Sequence, residues 1–343
     1  MALTERDILS IADEIARSLS GARTTASNPA PDGRWLCDTA EEAVARAAKA
    51  QRRLAELTLE KRSELVEAMR SAAIEHAERL ARLAHEETGY GRVADKLQKN
   101  LLAARRTPGV EDLGTYCKTG DNGMMIVEQA PFGVIGSITP STNPTATVIN
   151  NAISMIAAGN AVVFNPHPAA KRASQEAMRV LAEAIVGAGG PEALITTVKE
   201  PTLASRQAVM AHPDVALLSI TGGETVVAVA MKTGKKVVAA GPGNPPVIVD
   251  DTADIPKAAK DIVDGASFDN NVLCIAEKEV FVLACAADHL MAGMEKCGAH
   301  RVTGADIDKI ARTVLIQKDG KHAIIQLAEG YSAEDVGMRV GVF

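Results

Sequence analysis

Along this chain the apolar residues recur first at helical spacing and later in short runs, and the change of period divides it. Over residues 4–19, Ile8, Ile11, Ala12, Ile15, Ala16 and Leu19 fall at steps of three and four, with Glu5, Arg6, Asp7, Asp13, Glu14 and Arg17 mostly on the other face. The pattern predicts a short amphipathic helix, with Thr4 and Asp7 in a capping arrangement. Residues 20–33 (SGARTTASNPAPDG) have linker chemistry, so the helix reads as tethered; a terminal helix docked on its own domain is the other reading of the same stripe. Between Glu41 and Arg106, Leu54, Leu57, Leu65, Met69, Ala73, Leu80, Leu83 and Ala84 keep helical spacing, Gly89 and Gly91 close a segment, and no chemistry shows. From Met124 short apolar strands alternate with amphipathic helices: strands at 133–138, 161–164, 194–198 and 215–220, and helices near 145–158, near 169–186 and after Gly223. A second alternating unit is expected from Lys235, with strands at 236–238, 247–249 and 279–283 and helices near 255–264 and 287–297. Repeated strand–helix–strand units imply an α/β fold with a parallel sheet covered on both faces, binding ligands at the carboxyl ends of its strands. The expected divisions are a helix at 1–19, a linker at 20–38, a first domain at 39–234 and a second at 235–343.

Composition narrows the function. The chain has 343 residues, 47% of them apolar, enough for two domains with separate cores. A formal charge of −6 and 3% aromatic residues leave neither the basic surplus nor the stacking groups that nucleic acid requires. No apolar run approaches the ~20 residues that span a bilayer, and the charged N-terminus does not read as a signal peptide, so the protein is expected inside the cell without a membrane partner. Five cysteines, Cys37, Cys117, Cys274, Cys285 and Cys297, are odd in number, scattered and without metal-ligand spacing. Any important cysteine is therefore expected to act as a thiol, and no metal site is expected.

Three segments carry candidate chemistry. Ser219-Ile220-Thr221-Gly222-Gly223-Glu224 sets a glycine pair between a strand and a helix, where backbone amides can hold phosphate; the pair can equally be a structural turn. No G-x-G-x-x-G occurs in the sheet. Thr139-Pro140-Ser141-Thr142-Asn143-Pro144 follows another strand's carboxyl end, where Asn143 can cap the next helix or donate an amide proton into a cleft. The segment 265–274 (GASFDNNVLC) crosses a polar turn and presents Cys274, an inert core residue or a nucleophile depending on its exposure.

Together, residues 131–171 (PFGVIGSITPSTNPTATVINNAISMIAAGNAVVFNPHPAAK), 220–227 (ITGGETVV), 239–254 (AAGPGNPPVIVDDTAD) and 265–280 (GASFDNNVLCIAEKEV) resemble the aldehyde dehydrogenase superfamily. They are more similar still to its CoA-acylating branch, found in propanediol- and ethanolamine-utilising bacterial microcompartments. The resemblance runs from near residue 40 to near residue 320. It implies a Rossmann-type sheet domain joined to a catalytic domain, with Cys274 as nucleophile, Asn143 as oxyanion donor, and Thr139, Pro140, Ser141, Thr142, Thr221, Gly222 and Gly223 lining the NAD site. Coenzyme A is implied as co-substrate and propionaldehyde or acetaldehyde as substrate, with NNVLCIAEKEV closer to the propanediol branch. His167 stands in Asn165-Pro166-His167-Pro168, where hydrolytic relatives carry a cofactor-binding lysine. It contacts the NAD ribose or phosphate, or the CoA nucleotide, or is a structural histidine between prolines.

Hydrolytic relatives also carry a water-activating glutamate where this chain has Ala239-Ala240-Gly241-Pro242-Gly243, which favours transfer to a thiol over hydrolysis. A hydrolytic dehydrogenase and a catalytically inactive interaction module are the alternatives. The resemblance gives residues 1–19 a role as a peptide that docks on microcompartment shell proteins, and it implies a homo-oligomer when the chain is complete. It fades after about Lys318, so the catalytic domain is expected to be incomplete and to lack later strands, a cofactor-ribose carboxylate and the arm that joins subunits.

Overall fold

The computed structural model describes residues 35–302 and a two-residue strand at Ala323–Ile324. The expected helix at 1–19 and most of the expected linker lie outside the described residues, as do most positions beyond Val302. Residues 35–38 differ from the linker expectation. Strand β1 (Leu36–Cys37) pairs in parallel with residues 197–198, Cys37 is buried, and Trp35 packs on the main core.

Four helices follow, as the apolar spacing predicts: α1 (Ala40–Ala55), α2 (Leu59–Glu75), α3 (Ala77–Thr88) and α4 (Val93–Arg106). Thr39 and Thr58 start the first two by accepting N–H groups from Glu42 and Lys61, each at 3.1 Å. Gly89 stops α3 in the left-handed region at φ 70°, with its N–H on the His85 carbonyl. An antiparallel hairpin, β2 (Tyr116–Gly120) and β3 (Gly123–Val127), then stands with Tyr116, Met124, Met125 and Ile126 exposed; the sequence pattern did not reveal it.

The main sheet takes β4 (Val134–Thr139), β5 (Ala161–Pro166), β6 (Ile195–Val198), β7 (Val215–Thr221) and β8 (Lys236–Ala240), in the parallel order β1-β6-β5-β4-β7-β8. Every residue of β4 and β5 is buried, as central strands of a doubly covered parallel sheet require. Helices α5 (Pro144–Ala157), α6 (Lys171–Gly187), α7 (Leu203–Ala211) and α8 (Glu224–Met231) connect these strands.

Strand β8 corrects the expectation that a second unit opens near Lys235. Its residues pair with β7 from Leu217↔Lys236 to Thr221↔Ala240, and the Lys235 ammonium holds the His212 and Val215 carbonyls at 2.7 Å each, pinning this chain to the first sheet. The second sheet starts at β9 (Pro246–Val249), which pairs in parallel with β10 (Glu279–Val282). Helices α9 (Ile255–Ser267) and α10 (Ala284–Lys296) cover it around Val249, Ala259, Ile262, Leu290 and Met294. Strand β11 (His300–Arg301) pairs in parallel with β12 (Ala323–Ile324). Among the described residues, no helix is long and apolar enough to cross a membrane and no cluster of His, Cys, Asp or Glu could hold a metal.

Candidate active site

Strand order reverses at β4, which pairs with β5 on one side and β7 on the other. Chains leaving the carboxyl ends of β4 and β7 therefore diverge to opposite faces and open a crevice there. Both of the expected cofactor segments flank this crevice: residues 139–143 leave β4 and residues 221–223 leave β7. Gly223 precedes α8, and a side chain at that position would meet nothing within 4 Å, while one at Gly222 would make only ordinary contact with Val226. The protein's own packing thus leaves open space at a helix N-terminus, as phosphate approach needs. Thr139 is buried at the strand end with its hydroxyl oxygen lacking a hydrogen-bond partner, a polar atom whose pairing the protein itself does not supply. Pro140, Ser141 and Thr142 are half-buried beside it.

His167 is tied to the same crevice through its backbone N–H, which donates to the Thr139 carbonyl at 3.0 Å. Its imidazole Nδ1 accepts from the Ala169 N–H at 3.1 Å and starts the short 3₁₀ turn Pro168–Ala170. Local desolvation, then the charge of Arg206, push the imidazole below its ordinary pKa, although the residue as a whole stays exposed. A turn-capping role is thus visible, carried by the imidazole Nδ1.

Asn143 stands at the N-cap of α5 but makes no capping bond with its side chain. Its Oδ1 instead accepts from the Lys99 ammonium at 2.6 Å, and its Nδ2 donates to the Thr142 hydroxyl at 3.2 Å. Lys99 also pairs with Asp269, as does Lys96 at 3.2 Å, and all three residues are buried. The Asp269 carboxylate further accepts the Arg92 N–H at 2.7 Å, and its own N–H donates to Asp95 at 2.9 Å. Burial first, then neighbouring Lys96, pull Lys99 down to about 8 against the attraction of Asp269. The expectation that residues 41–106 hold no chemistry is therefore corrected: α4 turns a buried polar face, Lys96, Lys99 and Asn100, toward the site. A sequence signal existed in the K-x-x-K-N spacing on one helical face, although lysines at such spacing ordinarily lie on a solvated face.

Asp269 begins the turn that leads to Cys274. Asp269, Asn270 and Asn271 occupy the left-handed region at φ 49°, 56° and 58°, which Asp and Asn enter more readily than other residues with a Cβ. The Asn271 amide donates to the Ala266 and Glu277 carbonyls at 2.6 and 3.1 Å. Lys278, a residue sequence reading did not single out, reaches back to Asn271 Oδ1 at 2.6 Å and to the Leu273 and Ala276 carbonyls at 2.9 and 3.3 Å, bracketing Cys274. Burial lowers the Lys278 pKa, while charge on Cys274 and Glu277 acts to raise it. Cys274 itself is half-buried, unlike the buried Cys37 and the exposed Cys117, Cys285 and Cys297. Behind it lies the segment leaving β8, where a Cβ at Gly243 would collide with the Cys274 carbonyl. Residues 239–243 thus approach the cysteine with bare backbone and no ionisable side chain.

The family model described as the aldehyde dehydrogenase family matches residues 36–335. An acetaldehyde dehydrogenase (acetylating) from Bilophila wadsworthia is 51% identical over 281 residues, covering 82% of this chain and 58% of that protein. A crystal structure of Rhodopseudomonas palustris propionaldehyde dehydrogenase with bound CoA and an acylated cysteine has a TM-score of 0.78 and 43% identity, covering 83% of this chain and 65% of that one. A propionaldehyde dehydrogenase from the Clostridium phytofermentans fucose utilisation bacterial microcompartment has a TM-score of 0.78 and 45% identity, covering 84% and 66%. The chain spans about three-fifths to two-thirds of the length of these relatives. With its reversed-order parallel sheet and a family match over most of its residues, this chain belongs to the aldehyde dehydrogenase family.

Proposed function

We propose that this chain carries the cofactor crevice and the nucleophile of a CoA-acylating aldehyde dehydrogenase, which converts a short aldehyde, acetaldehyde or propionaldehyde, with NAD and coenzyme A to acyl-CoA and NADH. What supports the reading above all is one juxtaposition: Asn143, at the strand-order reversal, and the turn that presents Cys274 share a single buried residue, Lys99. The relatives that bind CoA and act on acetaldehyde or propionaldehyde support the substrate class.

Thr139, Pro140, Ser141, Thr142, Thr221, Gly222, Gly223 and His167 would hold NAD, which when bound supplies a hydride acceptor. Cys274, as thiolate, attacks the aldehyde carbon, and Asn143 Nδ2 with the Cys274 N–H meets the developing oxyanion. Loss of hydride from the thiohemiacetal leaves a thioester on Cys274. The CoA thiol then attacks the acyl carbon and expels the cysteine thiolate. One thioester replaces another, so this last step is nearly balanced and the reaction runs in both directions. Residues 239–243 provide no base to activate water, which disfavours the hydrolytic alternative.

Residues 1–19 would direct the protein to microcompartment shell proteins by docking their Ile and Leu stripe in a groove, residues 20–34 would tether them, and the enzyme would act as a homo-oligomer inside the compartment. The test is product analysis of the full-length protein with and without CoA, beside Cys274→Ala, Cys285→Ala and Cys297→Ala. Acyl-CoA formation lost only in Cys274→Ala is expected; free acid released rapidly without CoA, or turnover retained in Cys274→Ala, overturns the reading. For residues 1–19, a fusion to a fluorescent protein co-expressed with shell proteins should form foci that disappear when Ile8, Ile11 and Ile15 are made polar.

A further inference from the structure

We propose that Lys99, held by Asp269, is a positioning residue that fixes which end of the Asn143 side-chain amide faces the reacting carbonyl. The inference rests on Asn143 being the oxyanion donor. A primary amide has two unlike ends of nearly equal shape, one a donor and one an acceptor, and only the NH₂ end can stabilise an oxyanion. Shape alone does not tell them apart. A lysine ammonium can: it has three donors and no acceptor, so it accepts only the Oδ1 end as a neighbour and opposes the flipped amide with donor against donor.

The contacts fit this role. Lys99 donates to Asn143 Oδ1 at 2.6 Å, and the Thr142 hydroxyl takes one hydrogen of Nδ2, which leaves the second for a ligand. Lys99 is itself held in place: Asp269 pairs with it, Lys96 crowds it from one turn back on α4, and the backbone N–H of Arg92 fixes the carboxylate. Because Asp269 also opens the left-handed turn toward Cys274, the same ammonium sets the amide and the nucleophile's turn relative to each other. The lysine pair outnumbers the single carboxylate between them, so the cluster carries charge of the sign that favours an oxyanion.

A double-mutant cycle in the full-length protein tests this, using kcat and aldehyde KM for Asn143→Ala, Lys99→Met and the double variant. Removing an oxyanion donor lowers kcat on the order of 10²–10³-fold. Lys99→Met is expected to lower kcat at least tenfold with KM within about threefold, and to cost less than about threefold more in the Asn143→Ala background, where no amide remains to orient. A lysine that only stabilises the fold would cost the same in both backgrounds, and that outcome overturns the proposal, as does a Lys99→Met kcat within threefold of the parent. Lys99→Gln keeps one donating group at similar length and should give a kcat between those of the parent and Lys99→Met; should the Met variant not fold, the same cycle with Gln decides by the same criterion. If Asn143→Ala leaves kcat unchanged, the oxyanion assignment itself falls, a result separable from failure of the Lys99 role alone.

Discussion

Replacing Asp269 by Asn should be among the costliest single changes of one functional group in this chain. The parent carboxylate is fully buried and faces the ammonium groups of Lys96 and Lys99. Asparagine keeps an oxygen for the Arg92 N–H, but its NH₂ then points donors at two cations. Breaking a buried ion pair from one side costs about 3–5 kcal/mol, because the remaining charge stays desolvated. Part of this can be relieved: burial and Lys96 hold Lys99 down to about 8, so shedding its proton at pH 7 costs on the order of 1 kcal/mol in the parent and less once Asp269 is gone. The lower half of the range is therefore expected. At roughly 2–4 °C per kcal/mol for a domain of this size, the melting temperature should fall by about 6–16 °C. The sign with pH follows from the same residue. Its folded pKa lies below the ordinary 10.5, so above about 8 the unfolded chain binds more protons and this group's contribution to stability rises with pH. Without Asp269 the folded pKa drops further, and the deficit of the variant should narrow between pH 7 and pH 9. The groups that face Lys99 and share in this balance are Lys96 and Asp95 on α4 and Asp269 on the turn. Thermal unfolding followed by circular dichroism at both pH values measures it. A melting temperature within 2 °C of the parent at pH 7, or a deficit that widens at pH 9, would refute the reasoning.

Gly243→Ala would drive a methyl group into the Cys274 carbonyl, and because a displacement near 1 Å at a reacting group can cost on the order of 10²-fold, CoA-dependent NADH formation should fall at least tenfold, with a lower melting temperature because backbone must shift to admit the methyl. Asn271→Ala removes the amide that joins Ala266, Glu277 and Lys278 and puts an alanine at φ 58°; slower alkylation of Cys274 together with reduced turnover is expected, and unchanged kinetics would show the turn to be held by other bonds. Burial pushes the Cys37 thiol up to about 11, so peptide mapping after iodoacetamide treatment at pH 8 should find Cys274 labelled and Cys37 unlabelled until the protein is unfolded.

Periodicity along the chain determined the kind of element almost everywhere it was strong. The largely apolar runs of β4 and β5 and the stripes of α1, α2 and α3 are local consequences of which face must leave water. The hairpin β2–β3 escaped because its Met124, Met125 and Ile126 are exposed and do not alternate with polar residues. Strand order and sheet membership were a different matter, since hydrophobicity records that a strand is covered and not which strand it lies beside. Lys236–Ala240 looked like the start of a new unit until its ladder to β7 placed it in the first sheet. The site divides in the same way. Cys274, Asn143 and the glycine pair lie in contiguous motifs and could be named from the sequence. Lys99 and Asp269, 170 positions apart, could not, because a lysine on a charged helix has the signature of solvent exposure. Only the tertiary structure decided that this helix turns its polar face inward, where a buried carboxylate offsets the cost of burying its lysines.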